Sequence, residues 1–413
     1  MTPEIDNVLE QLRAAEQPLG IAVSGGSDSM ALMILAAKAG VRAHVATVDH
    51  RLRPEAADEA RHVAQEAARL GYSHETLVWT GWDGQGNLQD AARRARRRLL
   101  SAWAAERVIS TVLLGHTLDD QAETVLMRLS RAAGVDGLSA MSARRFDHGV
   151  KWWRPLLGVR RATLQQVLQA EGVDWVSDPS NQDPKYARVR MRQLSPALEQ
   201  AGLSAEALAQ VATQMAEARA ALDHAAATLG QQIVQQNGAA LVVQSAPFWQ
   251  APHELRRRLF LMALDWLDPA GYAPRGTSVA QALADLQSGR ATSLANVLVR
   301  PRQRALWLYR TPESVSDLKC PATEIWGEKW LARSLSAETS RTRDLTMRAL
   351  GADGLAQLPQ TPEKYRLRRA LMVEPSLWQG PRLVAAPTVV PHLDWQIECK
   401  KTWCDNCAGI LSH

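Results

Sequence analysis

Short apolar runs alternate with stretches of helical apolar spacing through the first half of the chain. Leu19 to Ser24 (LGIAVS) is a continuous apolar run that closes on glycines and reads as a buried strand. Asp28 to Ala39 has apolar residues at helical spacing and stops at Gly40. The same reading predicts strands over Val41–Asp49, His74–Thr80 and Val108–Gly115, and helices over Pro54–Leu70, Leu88–Arg107 and Thr117–Arg131. Alternation of this kind predicts an α/β fold, a parallel sheet with helices on both faces. Ligands of such sheets lie at the carboxyl ends of the strands. Beyond about Ser195 the pattern changes. Residues 197–233 are rich in Ala and Gln and read as helix; residues 238–310 mix strand-like runs with a helix around His253–Trp266; from 311 onward Pro, Trp and irregular sequence dominate. Soft boundaries near 200 and 315 give an α/β domain (1–200), a mainly helical middle domain (201–315) and a smaller C-terminal region (316–413).

Composition narrows the setting. The 413 residues are 46% hydrophobic, enough for ordinary cores, and no run of about 18 apolar residues predicts a transmembrane helix. Met1 to Glu10 carries acids and no apolar core of a signal peptide, so a cytoplasmic location is expected. Lys plus Arg is 48 against 43 Asp plus Glu, a net charge of +5 that permits a polyanionic partner without requiring one. The four cysteines (Cys320, Cys399, Cys404 and Cys407) all lie in the last third, which excludes a disulfide framework for the main body. Cys404 and Cys407 form one CxxC without a matched second pair; with Cys399 and His413 they are a weak zinc candidate beside the plainer reading of incidental thiols.

Ser24-Gly25-Gly26-Ser27-Asp28-Ser29 joins the first strand to the first helix that follows it. Glycines there free the backbone to turn its N–H groups toward an anion, and the helix N-terminus adds partial positive charge. The serine hydroxyls supply further donors. The loop suits a phosphate or pyrophosphate, although a Gly/Ser turn that merely caps a helix has the same residues. It is not a Walker A loop, because the chain contains no Gly-Lys pair.

The loop resembles the SGGxDS signature of the PP-loop ATP pyrophosphatases. Further blocks follow in order: Val48-Asp49-His50-Arg51-Leu52-Arg53, Ala92-Arg93-Arg94-Ala95-Arg96-Arg97, Gly115-His116-Thr117-Leu118-Asp119-Asp120-Gln121-Ala122-Glu123-Thr124, Arg154-Pro155-Leu156-Leu157 and Asp178-Pro179-Ser180-Asn181. The ordered set, over about residues 18–200, resembles the catalytic domain of the tRNA(Ile)-lysidine synthase family. Two positions depart from the family pattern: Arg97 stands where it usually has Tyr, and Arg188-Val189-Arg190-Met191-Arg192 lacks its usual Asn.

The resemblance implies that Ser24, Gly25, Gly26, Ser27, Asp28 and Ser29 bind ATP. His116, Asp120 and Glu123 lie at i, i+4 and i+7, one face of a helix. Asp120 and Glu123 could hold Mg²⁺ or a lysine ammonium, with His116 positioning the activated base; acids favoured by a helix N-terminus are the plainer alternative. Asp28 inside a phosphate loop needs Mg²⁺ or an ammonium nearby, unless it is a simple cap. Arg93, Arg96 and Arg97 share a helix face and suit ATP or the tRNA backbone, while Arg94 and Arg98 read as a solvated face. Arg188, Arg190 and Arg192, read as an extended segment, would form a row beside the site. Trp152, Trp153, Trp175 and Tyr186 could stack on bases, but core packing is the commoner role. The implied reaction joins L-lysine to the wobble cytidine of a CAU-anticodon tRNA(Ile), consuming ATP and releasing AMP and pyrophosphate. A thiolase of the same superfamily is the nearest rival, and the absence of cysteine before position 320 argues against it. A non-catalytic RNA-binding protein using only the basic helix is a second. Oligomeric state stays open, a homodimer being one arrangement.

Overall fold

The computed structural model describes residues 2–51, 56–80, 82, 88–176, 185–269, 274–335, 344–358 and 367–411. The chain forms two compact units, Met1–Arg219 and Ala220–His413. The first contains α1 (Pro3–Arg13), β1 (Leu19–Ala22), α2 (Ser27–Lys38), β2 (Ala43–Asp49), α3 (Ala56–Arg69), β3 (Ser73–Val78), α4 (Leu88–Glu106), β4 (Thr111–Leu114) and α5 (Leu118–Leu129). There follow the single turn α6 (Val135–Leu138), the hairpin β5 (Arg144–Asp147) and β6 (Val150–Trp153), α7 (Arg161–Ala170) and α8 (Ala187–Gln200). The helix α9 (Ala205–Ile233) contributes to both units.

The sheet order is β3-β2-β1-β4-β6-β5, parallel throughout except for the edge strand β5. Strand periodicity sorts its side chains onto two faces. Leu19, Ile21, Val45, Leu113 and Trp153 join a core with Ile5 and Leu9 of α1, the buried length of α2, Val63 and Ala67 of α3, and Leu164 and Leu168 of α7. Ala22, Ala46, Val112, Leu114 and Trp152 face the other way, onto Leu100, Trp103 and Ala104 of α4. Gly20 lies under Trp103: a Cβ there would stand 2.9 Å from the indole ring, so glycine permits this helix to seat on the sheet. Trp152 and Trp153 are core residues, 4% and 3% exposed, and Trp175 packs on the first core.

β1 and its neighbours are in register: Ala22 pairs with Ala46 and with Leu114. β1 and β4 therefore end at one level while β2 runs on to Asp49 beside β3, and the residues after β1 and β4 form a common rim. Because β2 lies on one side of β1 and β4 on the other, the order in which strands are added across the sheet reverses between β1 and β4. A crevice opens at such a switch point. The loops after β1 and β4 border it.

Sequence and structure differ at strand and helix ends. β4 begins only at Thr111, because Val108, at φ 57°, still belongs to the turn that ends α4. The segment carrying Arg188, Arg190 and Arg192 is not extended but the start of α8. Three alternating arginines are too short a pattern to distinguish a strand from a helix, and the continuous run to Gln200 favours the helix. Leu52, Arg53, Pro54, the Asp178-Pro179-Ser180-Asn181 block and His413 lie outside the described residues.

The second unit continues with β7 (Val234–Asn237), β8 (Ala240–Gln244), α10 (Ser245–Gln250), α11 (His253–Leu267), α12 (Gly276–Gln287), β9 (Thr292–Leu294), β10 (Val297–Arg302) and β11 (Ala305–Arg310). Its antiparallel sheet runs β7-β8-β11-β10-β9. A strand-rich part follows: β12 (Lys319–Pro321), β13 (Trp330–Ser334), β14 (Thr346–Ala349), α13 (Gly351–Gln357), α14 (Arg368–Met372), β15 (Pro375–Gln379), β16 (Arg382–Ala385) and β17 (Trp395–Cys399). The last helix, α15 (Trp403–Leu411), returns Trp403 and Cys407 to the core built by Leu259, Leu264 and Leu283. Cys407 is thus a packing residue and Cys404 is exposed. Among the described residues no His/Cys/Asp/Glu group is arranged to hold a metal unaided, and no helix is long and apolar enough to cross a membrane.

The Trp403 ring is 1% exposed and its Nε1 donates to the Gly230 carbonyl at 3.1 Å. Trp403→Ala removes both the ring and that bond, and is expected to destabilise the second unit by about 3–5 kcal/mol. Chemical denaturation followed by near-ultraviolet circular dichroism measures this; an unchanged midpoint contradicts the packing.

Candidate active site

The first rim loop follows β1. Gly25 adopts φ 85°, a conformation that favours glycine. Ser29 holds the turn closed: its Oγ accepts from the Ser24 backbone N–H at 3.1 Å, lies 3.2 Å from Ser24 Oγ, and donates to the Gly26 carbonyl at 2.9 Å. Ser27 Oγ donates to Asp28 at 3.0 Å. The loop opens α2, whose N-cap is Gly26, so the free amides of the first helical turn face the rim.

The second rim loop follows β4 and is pressed against the first. A Cβ on Gly115 would lie 2.9 Å from both the backbone N and Cα of Ser29. Only glycine permits this approach, and it sets His116 and Thr117 beside the first rim loop. Thr117 caps α5 with a reciprocal capping box: the Asp120 carboxylate accepts from the Thr117 N–H at 2.8 Å, and Thr117 Oγ1 accepts from the Asp120 N–H at 3.3 Å. The cap fixes Asp120 pointing back toward the rim.

Three carboxylates then converge on one guanidinium. Arg161 Nε donates to Asp28 Oδ2 at 2.9 Å, Nη2 to Asp120 Oδ1 at 3.2 Å, and Nη1 lies 3.6 Å from Glu123 Oε1. Glu123, 3% exposed, also meets Arg192 Nε at 2.9 Å and Arg188 Nε at 3.2 Å. These two arginines sit one turn apart on α8 and point the same way; Arg190 between them turns to the Lys185 carbonyl instead. Asp119, facing the other side of α5, accepts from the Arg161 N–H at 2.7 Å and pairs with Arg160, which also holds Glu199 and Glu206. Burial pushes Asp28 and Glu123 above the ordinary carboxylate range despite their arginines. At Asp120 burial acts in the same direction but is outweighed by Arg161, the Thr117 N–H and Arg188, and its pKa is lowered. Removing one partner from a buried ionic cluster typically costs about 3–5 kcal/mol, since it strands the others.

On the opposite side the cleft is basic. Burial and the neighbouring Arg93 depress Arg96, and burial with Arg97 and Arg145 depresses Arg154. Among the described residues neither Arg96 nor Arg154 forms an ion pair. Arg97 pairs with Asp147 at 3.3 Å, and Arg94 with Asp90 at 3.1 Å on an exposed face. His116 stands among these cations. Burial, opposed by Asp120 and reinforced by Arg154, Arg96 and Arg188, lowers its pKa to about 4. Its Nδ1 is buried without a hydrogen-bond partner, as are His50 Nδ1 and Trp79 Nε1 at the ends of β2 and β3. The rim is therefore divided, with ion-paired acids toward α5 and, among the described residues, arginines without ion pairs toward α4.

Spacing brought together Asp28, Asp120, Glu123, His116, Arg188 and Arg192. It missed Arg161 and Arg160, and gave Arg154 no role beyond its place in the Arg154-Pro155-Leu156-Leu157 block. A signal was present: Arg160 and Arg161 are the N-cap and first residue of α7, where cations are disfavoured by the helix dipole. Two arginines at such a place point to acids elsewhere.

Gly115→Ala must push Ser29 off its position, and is expected to weaken ATP binding by about tenfold or more while the protein remains folded. Isothermal titration with a non-hydrolysable analogue measures it; unchanged affinity contradicts the close approach. His116 stays neutral in the folded protein down to about pH 4, whereas the unfolded chain protonates near its ordinary value of 6.5. Between these the unfolded state binds the extra proton, so His116 costs stability progressively as pH falls through that window. Its imidazole resonances should not titrate between pH 5.5 and 8; a midpoint near 6.5 contradicts the burial.

A family model for a PP-loop domain matches residues 1–198. A tRNA(Ile)-lysidine synthase of Ruegeria pomeroyi is 43% identical over 422 residues, spanning all of both chains. One from Zymomonas mobilis is 35% identical over 300 residues, covering 71% of this chain and 88% of that one. Among solved structures, a U34-tRNA thiolase from Methanococcus maripaludis is similar over 52% of this chain and 80% of its own, at 16% identity and a TM-score of 0.43. Full-length likeness at this identity, with the site motifs in family order, means that the chain belongs to the tRNA(Ile)-lysidine synthase family.

Proposed function

We propose that the protein is a C–N ligase that adenylates the wobble cytidine of a CAU-anticodon tRNA(Ile) and joins L-lysine to it, in the cytoplasm. The observation that carries this reading is the divided rim: a Gly/Ser loop at a helix N-terminus and ion-paired buried acids on one side, Arg96 and Arg154 without ion pairs among the described residues on the other. ATP placed on Ser24–Ser29 would have its phosphates at the α2 N-terminus. The cytidine C2 oxygen attacks the α-phosphorus and pyrophosphate leaves. The lysine ε-amine then attacks C2, AMP departs, and the amine loses a proton.

The chain's own groups have distinct tasks in this scheme. Serine hydroxyls and loop amides take the leaving pyrophosphate. Asp28 and Asp120 reach one cation position and suit Mg²⁺, which binds through one or two carboxylates plus substrate phosphates and would supply charge neutralisation there. Glu123, the other carboxylate expected from spacing, is engaged by Arg188 and Arg192 and orients them. His116, neutral at working pH, offers a lone pair or an N–H to the base without adding charge. Arg93, Arg96, Arg97 and Arg154 suit the RNA phosphates flanking the target. Residues 201–315 and 316–413 are the candidates for holding the body of the tRNA, a role their sequence supports only through position.

The test is incubation with ATP, labelled lysine and an unmodified CAU tRNA(Ile) transcript. ATP-dependent transfer of label into RNA is expected, and Asp120→Asn is expected to lower the rate by about 100-fold or more through lost electrostatic stabilisation. ATP cleavage without lysine transfer would turn the assignment toward another RNA-modifying reaction, and sulfur incorporation from a donor would favour the thiolase alternative.

A further inference from the structure

The acidic side of the rim poses a problem that the reaction scheme leaves open. Three buried carboxylates would ordinarily form a trap for any divalent cation in the cell. Here their charges are matched: Asp28, Asp120 and Glu123 face Arg161, Arg188 and Arg192. Arg160 is taken up by the more exposed Asp119, Glu199 and Glu206. Arg161 is the central member. Among the described residues it alone touches all three acids, and its guanidinium stands between Asp28 of the phosphate loop and Asp120 of the facing helix, where a metal shared by both would sit.

We propose that Arg161 is an internal counter-cation that excludes free divalent metal from the Asp28–Asp120 position, so that metal enters only together with nucleotide. The proposal rests on the ATP-dependent reading above. The reason is charge bookkeeping in a medium of low dielectric constant. A bare divalent ion must either displace Arg161 or raise a balanced buried cluster to a net charge of +2, and both are unfavourable. Metal arriving with a triphosphate brings excess negative charge. The guanidinium can then swing to phosphate oxygens, for which its planar fork is suited, while the carboxylates turn to the metal. Arg161 thereby positions the two acids in the empty enzyme and selects metal–nucleotide over metal. By linkage, nucleotide and metal must each tighten the other by the same factor.

Mn²⁺ serves as the probe, because bound ion loses the sharp paramagnetic resonance signal of the free ion. The full-length wild-type protein is titrated with Mn²⁺ alone and with Mn²⁺ plus α,β-methylene ATP. Uptake is expected only with nucleotide. Arg161→Gln is expected to take up Mn²⁺ without nucleotide, about tenfold or more tighter than wild type, and Asp28→Asn in that background should abolish the gain. Lysine keeps the charge, so Arg161→Lys should still exclude the free ion. Wild-type uptake of Mn²⁺ that is indifferent to nucleotide overturns the proposal, as does Arg161→Gln behaving like wild type. Should Arg161→Gln fail to fold, as judged by circular dichroism, the wild-type titrations and Arg161→Lys decide, and uptake by Arg161→Lys without nucleotide also overturns it. A merely structural arginine would alter melting temperature and leave metal uptake unmoved. Failure of wild type to bind the ATP analogue would remove the nucleotide reading, while a gain of Mn²⁺ by Arg161→Gln would still identify the counter-cation.

Discussion

The architecture of the first unit is organised by the need to keep Asp28, Asp120 and Glu123 charged in a place with little water. No one element can do this alone. Asp28 comes from the loop after β1, Asp120 and Glu123 from α5, Arg161 from α7, and Arg188 and Arg192 from α8. Each ion pair therefore doubles as a long-range restraint that fixes where one element stands on another. The arrangement is costly to break and has little reason to exist for stability, since buried ion pairs are seldom better than packed apolar side chains. Its presence at a sheet's switch point is what marks it as a working site.

Two backbone features make that convergence possible. Glycine at 115 lets the β4 loop lie directly on the α2 N-terminus, and the Thr117–Asp120 capping box then aims the α5 acids across the gap. Glycine at 20 lets Trp103 lie flush on the sheet, which seats α4 and with it the basic side of the cleft. Arg161 and Arg96 are thus held from opposite faces of one sheet, the first on α7 and the second on α4, while α5 and α8 bring the acids and the other arginines to the rim. A polyphosphate and a metal fit one side, an RNA backbone the other.

Much of this was legible in the sequence. The parallel α/β pattern, the Gly/Ser turn between strand and helix, and the shared helix of Asp120 and Glu123 follow from local periodicity and are matched by the structure, whereas His116, expected on the same helix face, lies in the loop before the Thr117 cap. What was not legible depended on contacts distant in sequence. Arg161 is 133 residues from Asp28, and nothing local announces the pair. The Arg188–Arg192 segment misled because alternation over five residues imitates one face of a strand; in the helix Arg188 and Arg192 turn together onto Glu123 and Arg190 is left out. The C-terminal cysteines illustrate the converse. CxxC spacing suggested chemistry, but Cys407 is occupied in packing against the helices of the second unit.

The central claim is that the turn after β1 and the acids of α5 serve one bound nucleotide. A crystal structure with α,β-methylene ATP and Mg²⁺ tests it most directly. The triphosphate should lie on Ser24–Ser29, with metal density between Asp28 and Asp120 and the Arg161 side chain moved onto phosphate oxygens. Nucleotide found elsewhere on the domain, or bound with the Arg161–Asp28–Asp120 contacts unchanged and no metal between them, would contradict the account.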